Sequence, residues 1–228
     1  MSVEMPGCGK CPIKVGDRLC QTEDGKSPAF CPTENYPEIV QRVLEEFKKP
    51  EILEFAKQAS IQEGQGYTDK ELGYAQTKPV KPRLVEIIEF AKKMKYKKLG
   101  LVFCMGLRSE AKVVEKILTT NKFELVSAVC KYGREPKETI DVQDDQKIKV
   151  GSFESMCNPI YQAKLLNHEK SEFNILLGLC VGHDSLFFRY AEAPTTVLAV
   201  KDRVTNEAPS GAKRQTPAAI VAAHRPDA

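Results

Sequence analysis

Tryptophan is absent from this sequence of 228 residues, and aromatic residues make up only 7% of it. Proteins that bind single-stranded nucleic acids stack the bases on aromatic side chains, so such a platform is not expected here. The chain also has no large excess of charge of either sign, because 34 lysines and arginines are balanced by 31 acidic residues and the net charge is +3. We therefore expect neither a nucleic acid nor a membrane surface as a partner.

Long hydrophobic runs are missing as well. The longest, at residues 175–182, is far shorter than the roughly 20 residues of a membrane-spanning helix. No apolar stretch follows Met1, so the sequence predicts no signal peptide and a cytoplasmic location. Thiols stay reduced in that compartment, and cysteine there is used mainly for metal binding or catalysis.

The chain does contain eight cysteines, in two sets of four. The amino-terminal cysteines, spaced C-x2-C-x8-C-x10-C, are Cys8, Cys11, Cys20 and Cys31. Residues 1–34 have few large apolar side chains and need a cross-link to become ordered. Four thiolates close a tetrahedral site, so we predict a structural metal knuckle that holds zinc, with a [4Fe-4S] cluster or two disulfides as the alternatives.

Hydrophobic patterning predicts an α/β fold for the remainder of the chain. Residues 35–80 are a helical connection, and a domain at 81–204 alternates short apolar strands with amphipathic helices. The strands are predicted near residues 99–103, 123–130, 173–179 and 195–200. Such alternation is typical of a parallel sheet covered on both faces, a three-layer fold with flavodoxin-like or Rossmann-like strand order. Residues 205–228 are predicted to be a loosely ordered tail.

The second set of cysteines follows this alternation. We call it the edge cluster, and its members are Cys104, Cys130, Cys157 and Cys180. Three of them end predicted strands and one precedes a predicted helix, so all four should meet at the carboxyl edge of the sheet. Helix amino termini favour thiolates. The set therefore predicts a second metal site, with His183 beside it. The function expected of such a protein is redox chemistry or the handling of metal ions or iron–sulfur clusters.

Two other functions remain open from the residues. The segment from Gly178 to Gly182 is similar to the G-x-C-x-G nucleophile elbow of class I glutamine amidotransferases, which would make Cys180 a catalytic nucleophile with His183 nearby. The histidine downstream, His224, lies in the predicted tail and lacks the glutamate of that family. The third possibility is a structural zinc module that binds a partner protein, with the edge cluster as ordinary core.

Four segments, at residues 98–108, 156–160, 177–187 and 200–204, resemble an uncharacterised family. Its members are described as cysteine-rich metal-binding proteins, a domain of unknown function common in anaerobic bacteria and archaea. The resemblance covers residues 5–204 and implies that both cysteine sets belong to the family pattern. It implies no reaction, substrate or electron partner.

Overall fold

The structure is a computed structural model that describes residues 4–201 and 203. The predicted tail at 205–228, with His224, lies outside the described residues. The chain divides into two compact units, residues 1–60 and 61–228. The division falls inside a helix, whereas the sequence predicted a knuckle at 1–34 followed by a helical connection.

The first unit consists of turns followed by helices. Single 3-10 turns form at Cys8–Lys10 and Val15–Asp17, and three helices follow: α1 at Pro32–Asn35, α2 at Pro37–Glu46 and α3 at Pro50–Gln65. Each helix begins with a proline, whose missing N–H would be unpaired there in any case. None of residues 4–60 is buried. This described part of the unit therefore has no hydrophobic core to hold it together.

The second unit begins with a minimal antiparallel pair and a packed helix. Strands β1 (Tyr67–Thr68) and β2 (Lys78–Pro79) pair with each other, and α4 spans Arg83–Lys93. Ile87, Ile88 and Ala91 lie on the buried face of α4 at the spacing of successive helical turns.

A parallel sheet of four strands follows, and its strands alternate with helices. The strands are β3 (Lys98–Phe103), β4 (Glu124–Val129), β5 (Phe173–Leu177) and β6 (Thr195–Ala199). The helices are α5 (Arg108–Thr120), α6 (Pro159–His168) and α7 (His183–Tyr190). All five residues of β5 are buried, as expected of a strand covered on both faces.

The strand order is β4-β3-β5-β6, and all the pairs are parallel. Helices α6 and α7 pack together. The rule that such crossovers are right-handed puts α5 on one face of the sheet and puts α6 and α7 on the other. Helix α4 contacts the end of α5, where the side chain of Lys92 donates a hydrogen bond to Asn121. The predicted three-layer α/β fold is confirmed, with the order reversing between β3 and β5 as in flavodoxin-like sheets.

One boundary at the carboxyl edge differs from the sequence prediction. Strand β5 ends at Leu177, because Gly178 turns the chain with φ of +65°. Helix α7 begins at His183, because Gly182 supplies the turn with φ of +82°. Within residues 4–201 and 203, no helix has the length and apolar character needed to cross a membrane.

Candidate cysteine site at the carboxyl edge of the sheet

Backbone hydrogen bonds fix Cys104 and Cys130 where strands end, and they hold the residue after Cys157 against Cys130. The N–H of Cys104 donates to the Leu177 carbonyl at the end of β5, at 3.1 Å. The N–H of Cys130 donates to the Phe103 carbonyl at the end of β3, at 2.9 Å. The carbonyl of Cys130 accepts a hydrogen bond from the backbone N–H of Asn158, the residue after Cys157, at 2.7 Å. The parallel ladder therefore continues into the residues that carry the thiols.

The side chains of these three cysteines meet around Cys130. Its sulfur lies 3.7 Å from the sulfur of Cys157, and it also hydrogen-bonds with the thiol of Cys104. Cys104 and Cys130 are buried in the core beneath α6 and α7, while Cys157 is half-buried. Cys180 lies three residues beyond β5, half-buried and close enough for charges on Cys104 and Cys157 to act on it.

Backbone donors and one buried amide support the cluster. The N–H of Met105 donates to the Cys130 sulfur at 3.3 Å, and the N–H of Gly106 donates to the Cys104 sulfur. Below them, the fully buried Gln162 donates through Nε2 to the Ala128 carbonyl at 2.7 Å. Its Oε1 has no hydrogen-bond partner among the described residues. Gln162 thus holds the end of β4 two residues before Cys130.

Hydrogen bonding and burial separate the pKa values of the four thiols. The hydrogen bond with Cys130 lowers the pKa of Cys104, and hydrogen bonds with Cys130 and His183 lower the pKa of Cys157. The pKa of Cys130 is raised, because it stays a thiol between these two neighbours and is buried. Burial, followed by the charge of Cys104, raises the pKa of Cys180. Cys104 and Cys157 thus have pKa values below the ordinary value for a thiol, and Cys130 and Cys180 have pKa values above it.

Cationic side chains surround the cluster. The ammonium of Lys201 approaches the turn at Gly106 beside the Cys104 sulfur, and its charge acts on Cys104. The charge of Lys131 lowers the pKa of Cys157, and the charge of Arg203 acts on Cys180. These cations offset the cost of holding anionic sulfur next to a hydrophobic core.

Two features of the site were missed by the sequence reasoning. His183 hydrogen-bonds with Cys157, from another loop, rather than with its near neighbour Cys180. No sequence pattern indicated that pairing. Gln162 did leave a signal, because it stands at the same spacing as Pro159, Ala163 and Leu166 on the buried stripe of α6.

The amino-terminal cysteines are free thiols that the structure places on separate turns. Cys8 and Cys11 bracket one turn, in which the Cys11 N–H donates to the Cys8 carbonyl at 3.2 Å. Cys20 follows the bridge between Arg18 and Lys26, and Cys31 precedes α1. Across residues 4–201 and 203, no group of three or more His, Cys, Asp or Glu side chains is arranged to hold a metal ion.

Comparison with known proteins places the chain in a family. A family model described as a protein of unknown function, DUF1847, matches residues 31–198. The chain belongs to this family. The match includes Cys31 and the whole edge cluster. Uncharacterized protein MJ0455 of Methanocaldococcus jannaschii is 45% identical over 175 residues, which cover 77% of this chain and 83% of that protein. No solved structure matches. The resemblance to an uncharacterised family is thereby confirmed.

Proposed function

We propose that this DUF1847 protein binds a thiophilic metal at the edge cluster, with zinc as the first choice and an iron–sulfur cluster as the alternative. The observation that carries the proposal is the convergence of four cysteines from β3, β4, β5 and the loop before α6 on one edge of the sheet. Soft thiolate sulfur is the ligand that zinc and iron–sulfur clusters prefer.

The spacing of two sulfurs supports zinc. Zn–S bonds of about 2.3 Å in a tetrahedron separate neighbouring sulfurs by about 3.8 Å. The sulfurs of Cys130 and Cys157 already lie 3.7 Å apart. In a [4Fe-4S] cluster each cysteine binds a different iron, which sets the sulfurs farther apart. Within the described residues, no group of three or more side chains is arranged to hold a metal ion. A site with four sulfur ligands would therefore require the half-buried Cys180 to turn toward Cys130 and Cys157.

We propose a second, structural metal site at the amino-terminal cysteines. The support is energetic: none of residues 4–60 is buried, so this segment gains little stability from the hydrophobic effect. Small segments without a core are commonly stabilised by a metal that cross-links them. The knuckle turn from Cys8 to Cys11 has the C-x2-C spacing of zinc ligands.

A structural role for the edge cluster is the second candidate, because Cys104 and Cys130 pack in the core. Cysteine often behaves as a small buried hydrophobic residue.

The amidotransferase-like alternative gains no such support. Its nucleophile would be Cys180, whose pKa is raised by burial, and His183 hydrogen-bonds with Cys157 instead. A cytoplasmic location stays part of the proposal.

Metal analysis of single variants tests the proposal. Protein purified under reducing conditions should carry metal at both sites, colourless if zinc and brown if iron–sulfur. Cys157→Ser should lose the edge metal alone, and Cys11→Ser the amino-terminal metal alone. Val181→Ser is the matched control, since Val181 is 89% exposed at the same edge and offers no thiol. Unchanged metal content in Cys157→Ser would exclude the edge site.

A further inference from the structure

Cys130 and Cys157 form a pair whose geometry suits a disulfide. Their sulfurs lie 3.7 Å apart, whereas a disulfide bond measures about 2.05 Å, so rotation of the side chains can close the gap. The backbone already holds the two segments together, because Asn158 donates to the carbonyl of Cys130 at 2.7 Å. Bond formation therefore starts from two segments that the backbone already holds side by side.

The two thiols differ in the way that a redox pair requires. Cys157 is half-buried and reachable, and it hydrogen-bonds with His183 close to the ammonium of Lys131. Cys130 is only 3% exposed, and its sulfur accepts from the N–H of Met105. An attacking thiol must meet its substrate, while a resolving thiol must be close to the attacker and shielded from competing reagents.

We infer that Cys157 and Cys130 are a redox-active dithiol that reduces a disulfide substrate, a function beyond metal binding and available to the metal-free protein. The Cys157 thiolate attacks the substrate R–S–S–R, forms the mixed disulfide Cys157–S–S–R and releases RS⁻. The released RS⁻ takes the proton of Cys130 and leaves as RSH. The resulting Cys130 thiolate attacks the sulfur of Cys157, breaks the mixed bond and releases the second RS⁻, which takes a proton from solvent to give the second RSH. The protein loses two electrons, and the substrate disulfide gains them.

The other edge cysteines are placed less well for this chemistry. Cys104 hydrogen-bonds with Cys130 but is buried, and its sulfur accepts a hydrogen bond from the N–H of Gly106. Cys180 is half-buried, but no hydrogen bond links it to another thiol in the part of the chain that the structure describes. Oxidation should therefore link Cys157 to Cys130 first.

Peptide mapping tests the inference directly. The full chain, reduced and stripped of metal by a chelator, is treated with bis(2-hydroxyethyl) disulfide, alkylated and digested with trypsin. Cys104, Cys130, Cys157 and Cys180 fall in separate peptides, at 99–108, 123–131, 150–164 and 171–189. The expected product is peptide 123–131 joined to 150–164. Cys130→Ser should instead accumulate the mixed disulfide on Cys157.

Two variants complete the test. Val181→Ser, at a position that is 89% exposed and offers no thiol, should form the linked peptides at the wild-type rate. Cys157→Ala should lower modification of Cys130 by at least about tenfold, because Cys130 is shielded. Circular dichroism verifies that each variant folds, and Cys130→Ala replaces Cys130→Ser if that variant does not. A dominant link from Cys104 or Cys180, or wild-type modification of Cys130 in Cys157→Ala, would overturn the inference. Linked peptides in a protein that binds no edge metal would refute the metal proposal alone.

Discussion

Replacing Gly178 with alanine tests how the turn beneath the edge cluster is built. Gly178 adopts a φ of +65°, and a Cβ at this position would overlap the Cδ1 atom of Leu107. The left-handed conformation costs an L-residue about 1–2 kcal/mol. Forcing an extra methyl into packed surroundings adds about 1–3 kcal/mol. Together these terms predict that Gly178→Ala lowers the free energy of unfolding by about 2–5 kcal/mol.

Urea unfolding under reducing conditions measures this loss, and a double-mutant cycle separates its two parts. In a Leu107→Ala background the methyl group of Ala would have room, so the cost of Gly178→Ala should fall to the backbone term of about 1–2 kcal/mol. The coupling energy between the two positions is then about 1–3 kcal/mol.

A second glycine provides the matched control. Gly151 has a φ of +74°, but a Cβ there would meet no atom within 4 Å. Gly151→Ala should therefore cost only the backbone term, about 1–2 kcal/mol, in either background. If Gly178→Ala costs no more than Gly151→Ala, or if the loss does not depend on Leu107, the contact argument is refuted.

Two further predictions concern the loop between β4 and α6. The ion pair with Lys137, with the N–H of Lys149, lowers the pKa of Glu154 from 4.5 to about 2. Its stabilising contribution is therefore complete above about pH 4.5 and is lost as the pH falls toward 2. Glu154→Gln should destabilise the fold at pH 7, and the difference from wild type in urea unfolding should shrink near pH 2; a constant difference would contradict this. Asn158 caps α6 by accepting from the N–H of Tyr161 at 3.1 Å. Asn158→Ala should cost about 0.5–2 kcal/mol of unfolding free energy, and Asn158→Asp, which keeps the acceptor, should retain most of it.

The sheet could be predicted from the sequence because its signals are local. Each strand is a short apolar run bounded by charge or glycine, and β3 and β5 lie within a residue or two of their predicted bounds. The flavodoxin-like or Rossmann-like strand order was predicted from the alternation of strands and helices rather than from any single residue. The end of β5 was predicted two residues too late, because the positive φ at Gly178 ends the strand at Leu177.

The loop between β4 and α6 could not be predicted, although it carries Cys157. It has no hydrophobic period, and ion pairs hold it instead. The Lys147 side chain, only 4% exposed, pairs with Glu138 and Asp144 at 2.8 and 2.6 Å. Such pairs depend on where the backbone folds back, which the order of residues does not reveal. The position of Cys157 relative to Cys130, and therefore its pairing with His183, depends on this loop.

Metal binding and disulfide formation use the same two sulfurs and exclude each other. A thiolate bound to a metal has its lone pair committed, so it attacks a disulfide slowly until the metal leaves. Conversely, a disulfide between Cys130 and Cys157 removes the pair already spaced at 3.7 Å for one ion. Metal added to the reduced protein should therefore protect peptides 123–131 and 150–164 from linkage, while metal added after oxidation should not bind at the edge. If both states form together on one chain, the two sulfurs do not serve both roles.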